Sequence, residues 1–157
     1  WRAVEYEIEP ICVENDLSIL CYSPLLHGIL TGKFETAADV PDERARTRHF
    51  SSERPMTVHG TDGAEDVTFG AVDGIRNIAA DAGYSMLETS LAWLIARPGV
   101  GSVIAGARNP GQVEGIAAAA DVNLDDESIT ALVAVTEPVK AFMGMNADMW
   151  RSETRIR

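Results

Sequence analysis

The chain has 157 residues, 46% of them hydrophobic and 24% charged, and a formal net charge of -11. That length can bury a real core in one domain, and the composition excludes an intrinsically disordered chain. The acidic balance works against nucleic acid as a partner, and no apolar run of membrane-spanning or signal-peptide type is present.

Cys12 and Cys21 lack metal-ligand spacing and read as ordinary thiols of a reducing compartment, which gives a cytoplasmic expectation and no metal site. A start at Trp1, without Met or a polar lead-in, is the start expected inside a longer protein. Residues 2–15 (RAVEYEIEPICVEN) predict a helix with Val4, Ile8, Ile11 and Cys12 on one face, kinked or restarted at Pro10. Asn15-Asp16 ends it, and residues 17–22 (LSILCY) read as a short strand apolar enough to be covered on both faces.

The next segment, YSPLLHGILTGKF, is a loop at the carboxyl end of that strand. Pro24 turns Ser23 away from helical geometry, and Gly28 and Gly32 allow tight turns or close approach to a ligand. Ser23, Thr31 and Lys33 add two hydroxyls and a cation. Parallel α/β sheets bind ligands at such strand ends, so the loop has the means to hold a phosphate. A tight turn with a solvated lysine is the alternative. From Glu35 to Val67 the pattern dissolves into a long irregular loop with Arg44, Arg46, Arg48, Arg54, His49 and His59. These charges are expected to be solvated, or one arginine folds over an anion.

Helical order resumes at Thr68, with Ala71, Ile75, Ile78 and Ala82 on one face and Gly83 as the stop. Ser85 and Glu88 form a capping box for the next helix, whose expected buried face is Leu87, Leu91, Leu94 and Ile95. Pro98-Gly99 ends it, and residues 100–116 (VGSVIAGARNPGQVEGI) follow. Val100, Val103 and Ile104 give a strand that breaks at Gly106. Asn109 is then the N-cap, Pro110 the first helical residue, and Gln112 lies three past the cap. Unpaired N–H groups, the helix dipole and the Arg108 guanidinium at one point make an anion site. A plain, well-capped strand-to-helix junction is the alternative.

An alanine-rich stretch at 117–120 permits close packing. Asp125 caps a further helix with a Leu124–Ile129 staple and a stripe of Ile129, Leu132, Val133 and Thr136, which Pro138 breaks or kinks. In the tail, Met143, Met145, Met149 and Trp150 are expected to cover something apolar, and Arg151, Arg155 and Arg157 to be solvated or paired. Two parallel strands are too few for a stable sheet of their own, and their open edges are expected of one part of a larger α/β protein. The same edges leave self-association open.

At YSPLLHGILTGKF and VIAGARNPGQ the sequence resembles the aldo-keto reductase superfamily, above all its larger-loop bacterial and plant branches and the potassium-channel β-subunit type. WRAVEYEIEPICVENDLSILCYSPL resembles the helix before the seventh barrel strand and that strand. SMLETSLAWLIARPGVGSVIAGARNP is similar to the family's helix, eighth strand and helix, and TEPVKAFMGMNADMWRSETRIR to a tail of one branch. The likeness implies an α/β fold that is the C-terminal portion of a (β/α)8 TIM barrel, about two parallel strands with flanking helices. Residues 1–157 would be a partial domain of that incomplete barrel, with a variable loop at about 35–67 and a tail at about 139–157.

The resemblance also implies an NADP-dependent oxidoreductase that binds NADPH in extended form and passes hydride to an aldehyde or ketone carbonyl. Carried over by position, Ser23, Pro24, Leu25 and Gly28 would lie at the pyrophosphate, with Thr31 and Lys33 further along the loop. Gly106, Arg108 and Gln112 would hold the adenosine half, with Arg108 facing the 2′-phosphate. Gly115 and Ile116 stand where the family pattern has Glu-Asn, so the side chains that would contact adenine are missing. The family's catalytic Asp, Tyr, Lys and His lie before the seventh strand. Tyr22, His27 and Lys33 do not match them, no catalytic residue is assigned, and the isolated chain is expected to show no turnover. A non-catalytic nucleotide-binding or assembly subunit of the same fold is the alternative.

Overall fold

The first helix starts anew just before Pro10, and the reason is local. In the computed structural model, which describes residues 2–151, a 3-10 turn at Ala3–Glu5 gives way to α1 (Ile8–Glu14) with Glu7 as its N-cap. Pro10 thereby sits in the first turn, where its missing N–H is not needed. Asp16 (φ 54°) turns the chain into β1 (Ile19–Tyr22). After the long loop come α2 (Glu65–Asp81), α3 (Met86–Ile95), β2 (Val100–Ile104), α4 (Pro110–Ala118) and α5 (Asp126–Met143).

β1 and β2 pair in parallel, with Tyr22 opposite Ile104, so their carboxyl ends lie side by side. The expectation that the first strand is covered on both faces does not hold. Leu20, Tyr22 and Ile104 are 61%, 64% and 56% exposed, and α1 buries no residue, so its expected apolar face is open as well.

The core lies instead among α2, α3, α5 and the segment between β1 and α2. Leu26, Ile29, Val40, Phe50, Phe69, Val72, Ile75 and Leu132 form one buried cluster. α2 begins three residues earlier than the periodicity sets it, with Glu65 and Asp66 in its first turn favoured by the dipole. Its buried face is Thr68, Phe69, Ala71, Val72, Ile75 and Ala79, while Ile78 and Ala82 sit at the margin. α3 carries the expected capping box, Glu88 N donating to Ser85 Oγ and Ser85 N to Glu88 Oε2. Leu91 is buried, but Leu87 and Leu94 are half-buried and Ile95 is exposed.

The segment from 35 to 64 is packed rather than solvated, and this corrects the reading of its charges. His49 and His59 are buried, with Thr47 Oγ1 3.0 Å from His49 Nδ1. Arg48 donates to the Met143 and Asn146 carbonyls at 3.1 and 3.2 Å. Arg54 donates to the Ala37 and Val40 carbonyls at 2.7 and 3.1 Å and pairs with Glu65. Arginine forks thus replace secondary structure in holding this loop's backbone.

α5 runs through Pro138 without a break and ends at Met143, so residues 139–143 are helix rather than tail. Pro138 cannot donate to the Ala134 carbonyl, but both residues are exposed, which leaves that carbonyl to water. Arg2 shores up the preceding turn, donating to the Val133 carbonyl at 2.9 Å and pairing with Glu137 at 3.1 Å. Glu5 pairs with Arg2 and Lys140 at 2.8 and 2.9 Å, and Arg97 with Glu9 at 2.6 Å. Met143 is buried and Met149 packs against the core, whereas Met145 is 57% exposed. Trp1, Arg155 and Arg157 lie outside the described residues. Among the described residues no helix is long and apolar enough to cross a membrane, and no three His, Cys, Asp or Glu side chains gather to hold a metal ion.

Candidate cofactor site

Three loops meet where the two strands end. The first leaves β1 at Ser23 (φ 50°) and enters a left-handed bend at Leu26 (φ 45°), His27 (φ 56°) and Gly28 (φ 93°). A left-handed conformation costs a residue with a side chain about 1–2 kcal/mol, so this bend is held from outside. Leu26 and Ile29 anchor it in the core. Thr31 Oγ1 donates to the Gly28 carbonyl at 2.7 Å.

The second loop leaves β2 at Ala105 and ends on α4. Asn109 accepts from Gln112 N at 3.0 Å, as the sequence predicts for its cap, and Gln112 Oε1 accepts from Arg108 N at 2.8 Å. Gln112 therefore fixes the turn that carries Arg108. The third loop brings Arg44, whose Nη1 donates to the His27 carbonyl at 3.0 Å.

Between them lies an open groove of about 640 Å3. Ser23, Pro24, Leu25, Gly28, Thr31, Lys33, Gly106, Arg108 and Gln112 all line it, so these nine residues share one groove, whereas Gly32 and Gly115 are not among its lining. His27, Arg44, Leu87, Ile104 and Ile116 line it too. No carboxylate is among its lining residues, although acids outnumber bases in the chain by 24 to 13. Lys33 titrates below the ordinary lysine value because of its partial burial and the nearby Arg44 and Arg108 charges. Gly28 makes room for this crowding. A Cβ there would lie 3.0 Å from Arg44 Nη1 and 3.1 Å from Lys33 Nζ. Lys33 and Arg44 therefore stand over a bare stretch of backbone, and Arg108 lines the same groove at the N-terminus of α4, a set of cations that an anion would relieve.

Arg44 is the arginine of the long loop that turns to the groove. No local sequence signal separates it from Arg46, Arg48 and Arg54, because the choice is made by tertiary contact. His27 titrates below the ordinary histidine value through burial first, then Arg46 and Arg44.

The model of the aldo/keto reductase family matches residues 1–137. The chain belongs to the aldo/keto reductase family. Within that family it is 31% identical to a probable voltage-gated potassium channel subunit beta of Arabidopsis thaliana, over 76% of this chain and 34% of that protein. It is 27% identical to the NADH-specific methylglyoxal reductase of Escherichia coli, over 88% of this chain and 40% of the relative. The solved glycerol dehydrogenase AKR11B4 of Gluconobacter oxydans is similar in structure, with a TM-score of 0.66 and 25% identity, over 87% of this chain and 39% of that one. The chain thus spans less than half the length of these relatives. Its two parallel strands with flanking helices correspond to part of an aldo/keto reductase barrel.

Proposed function

We propose that this chain supplies the phosphate-holding part of a nicotinamide cofactor site in a carbonyl-reducing oxidoreductase, and that the cofactor is NADPH. The convergence of Lys33, Arg44 and Arg108 on a carboxylate-free groove carries this reading. The bare Gly28 backbone between two cations is a cradle that fits a pyrophosphate. Ser23, Pro24 and Leu25 line the same end, and Thr31 and Lys33 extend it. Thr31 acts by fixing the Gly28 carbonyl rather than by offering a free hydroxyl.

Arg108 and Gly106 take the adenosine half, with the Arg108 guanidinium on the 2′-phosphate and Gln112 holding the turn beneath it. A phosphate monoester carries close to two negative charges near neutral pH, so it draws far more from a planar, permanently charged fork than a ribose hydroxyl does. Ile116 offers the base an apolar wall in place of hydrogen bonds. The bound cofactor supplies hydride to an aldehyde or ketone; the residues named here bind and orient its phosphates, and no catalytic acid or base is assigned among them.

Titration of the chain with NADPH and NADH, with and without Arg108→Ala, tests the reading. A charge-assisted hydrogen bond contributes about 1.5–3 kcal/mol, so the parent should favour NADPH by about ten- to a hundredfold and the variant should lose that preference. Equal affinity of the parent for both cofactors refutes the assignment of the 2′-phosphate to Arg108. It would bring this groove into line with that of a relative whose name specifies NADH.

A further inference from the structure

Residues 144–150, past the end of α5, return to the back of the groove loop, and we infer that Trp150 is a positioning residue for the anion site, acting through His27 on Arg44. The inference rests on the groove being a phosphate site.

Arg44 is steadied over Gly28 by its Nη1 bond to the His27 carbonyl. The direction of that carbonyl depends on a left-handed bend at Leu26 and His27, which residues with side chains disfavour and which packing must therefore maintain. The core holds Leu26. His27 is held by the Trp150 ring, which meets it edge-on with centroids 5.3 Å apart at 64°. His27 Nε2 is buried and makes no hydrogen bond among the described residues, so at that atom the ring is placed by packing rather than by a polar partner.

Trp150 is itself fixed. The Arg46 guanidinium stands 5.5 Å over its ring, and the backbone N–H of Trp150 donates to Asp148 Oδ1 at 2.9 Å. The strap that carries it is tied down by Arg48, through Arg48 N to the Met149 carbonyl at 2.9 Å and through the guanidinium to the Met143 and Asn146 carbonyls. One arginine of the long loop thus holds the strap, a second steadies the indole, and a third receives the result at the groove.

The test is titration of the 157-residue chain with 2′,5′-ADP, a probe that carries two phosphates. Trp150→Ala should weaken binding about tenfold, matching Arg44→Ala, and the double variant should bind no more weakly than Arg44→Ala alone. Combined with Arg108→Ala, the same substitution should multiply the losses, because Arg108 is held by Gln112 and not by the strap. Trp150→Phe should bind like the parent. Parental affinity in Trp150→Ala, or multiplied losses in the pair with Arg44→Ala, overturns the inference.

Should Trp150→Ala fail to fold, Trp150→Leu replaces it, with Trp150→Phe at parental affinity and Trp150→Leu weakened as the expected pair. Equal behaviour of those two overturns the inference. Failure of the parent to bind 2′,5′-ADP counts against the phosphate site and leaves the strap to be judged by NMR of the His27 ring. Release from Trp150 should raise its titration toward the ordinary histidine value as burial and the fields of Arg46 and Arg44 weaken; an unmoved titration overturns the inference.

Discussion

Gly28 is where the groove and the stability of the fold can be separated experimentally. Its φ of 93° is left-handed, so Gly28→Ala should cost about 1–2 kcal/mol of stability. With a urea slope of about 2 kcal/mol/M, that moves the unfolding midpoint down by roughly 0.5–1 M. The new methyl would also stand 3.0 Å from Arg44 Nη1 and 3.1 Å from Lys33 Nζ, and both are far ends of flexible side chains that would move aside. Displacing one or two charge-assisted contacts should weaken NADPH by about ten- to a hundredfold in calorimetric titration. Gly83→Ala is the matched control: its φ is 78° and a Cβ there meets nothing within 4 Å. It should lose similar stability and leave binding untouched. If both variants bind alike, the cradle argument is wrong, because the cost would then be backbone strain alone.

Arg54→Ala removes donors from the Ala37 and Val40 carbonyls and should cost about 2–3 kcal/mol while speeding proteolytic cutting within 37–65; unchanged cutting would mean that the loop is held by its apolar residues alone. Pro138→Ala restores an N–H inside α5 and should stabilise the fold by up to about 3 kcal/mol in urea unfolding; a loss of stability would show that the proline's shape is needed there. His49 is held well below the ordinary histidine value by burial, with the charges of Arg48, His27 and His59 acting the same way. The unfolded chain then takes up the proton first, so this stability is whole above about pH 6.5 and is lost as pH falls below it, by up to about 1.4 kcal/mol per pH unit per proton. Unfolding measured from pH 7.5 to 5.5 should show that slope, and His49→Gln should flatten it. An equal slope in the variant assigns the effect to His27 and His59, which are shifted in the same direction.

The sequence carries the parts of this fold whose chemistry is local. Ser85, Asn109 and Asp125 cap their helices because a short polar side chain before an apolar run has few other uses, and all three accept the expected N–H. The groove residues are legible for a related reason, since glycine, proline and hydroxyl spacing at a strand end constrains the backbone directly. What escapes is set by partners distant in sequence. The choice of Arg44 over Arg46, the carbonyl clamps of Arg48 and Arg54, and the burial of His49 depend on segments up to 100 residues away. Pro138 reads as a break or kink because the bond that supports the turn before it, from Arg2 to the Val133 carbonyl, spans 131 residues. The strands mislead by their apolarity, which predicts a cover that Leu20 and Ile104 do not have here.

The ties of Arg2 and Glu5 to Glu137 and Lys140 also set an order of assembly. At roughly 5–20 residues per second, synthesis of the intervening chain takes on the order of ten seconds. During that interval Glu137 and Lys140 are not yet made, so Arg2 and Glu5 have only each other and Arg97 while the strands and the Arg54 clamps form; the Arg48 clamps on Met143 and Asn146 wait for α5. The turn at Ala3–Glu5 therefore settles only once α5 is made.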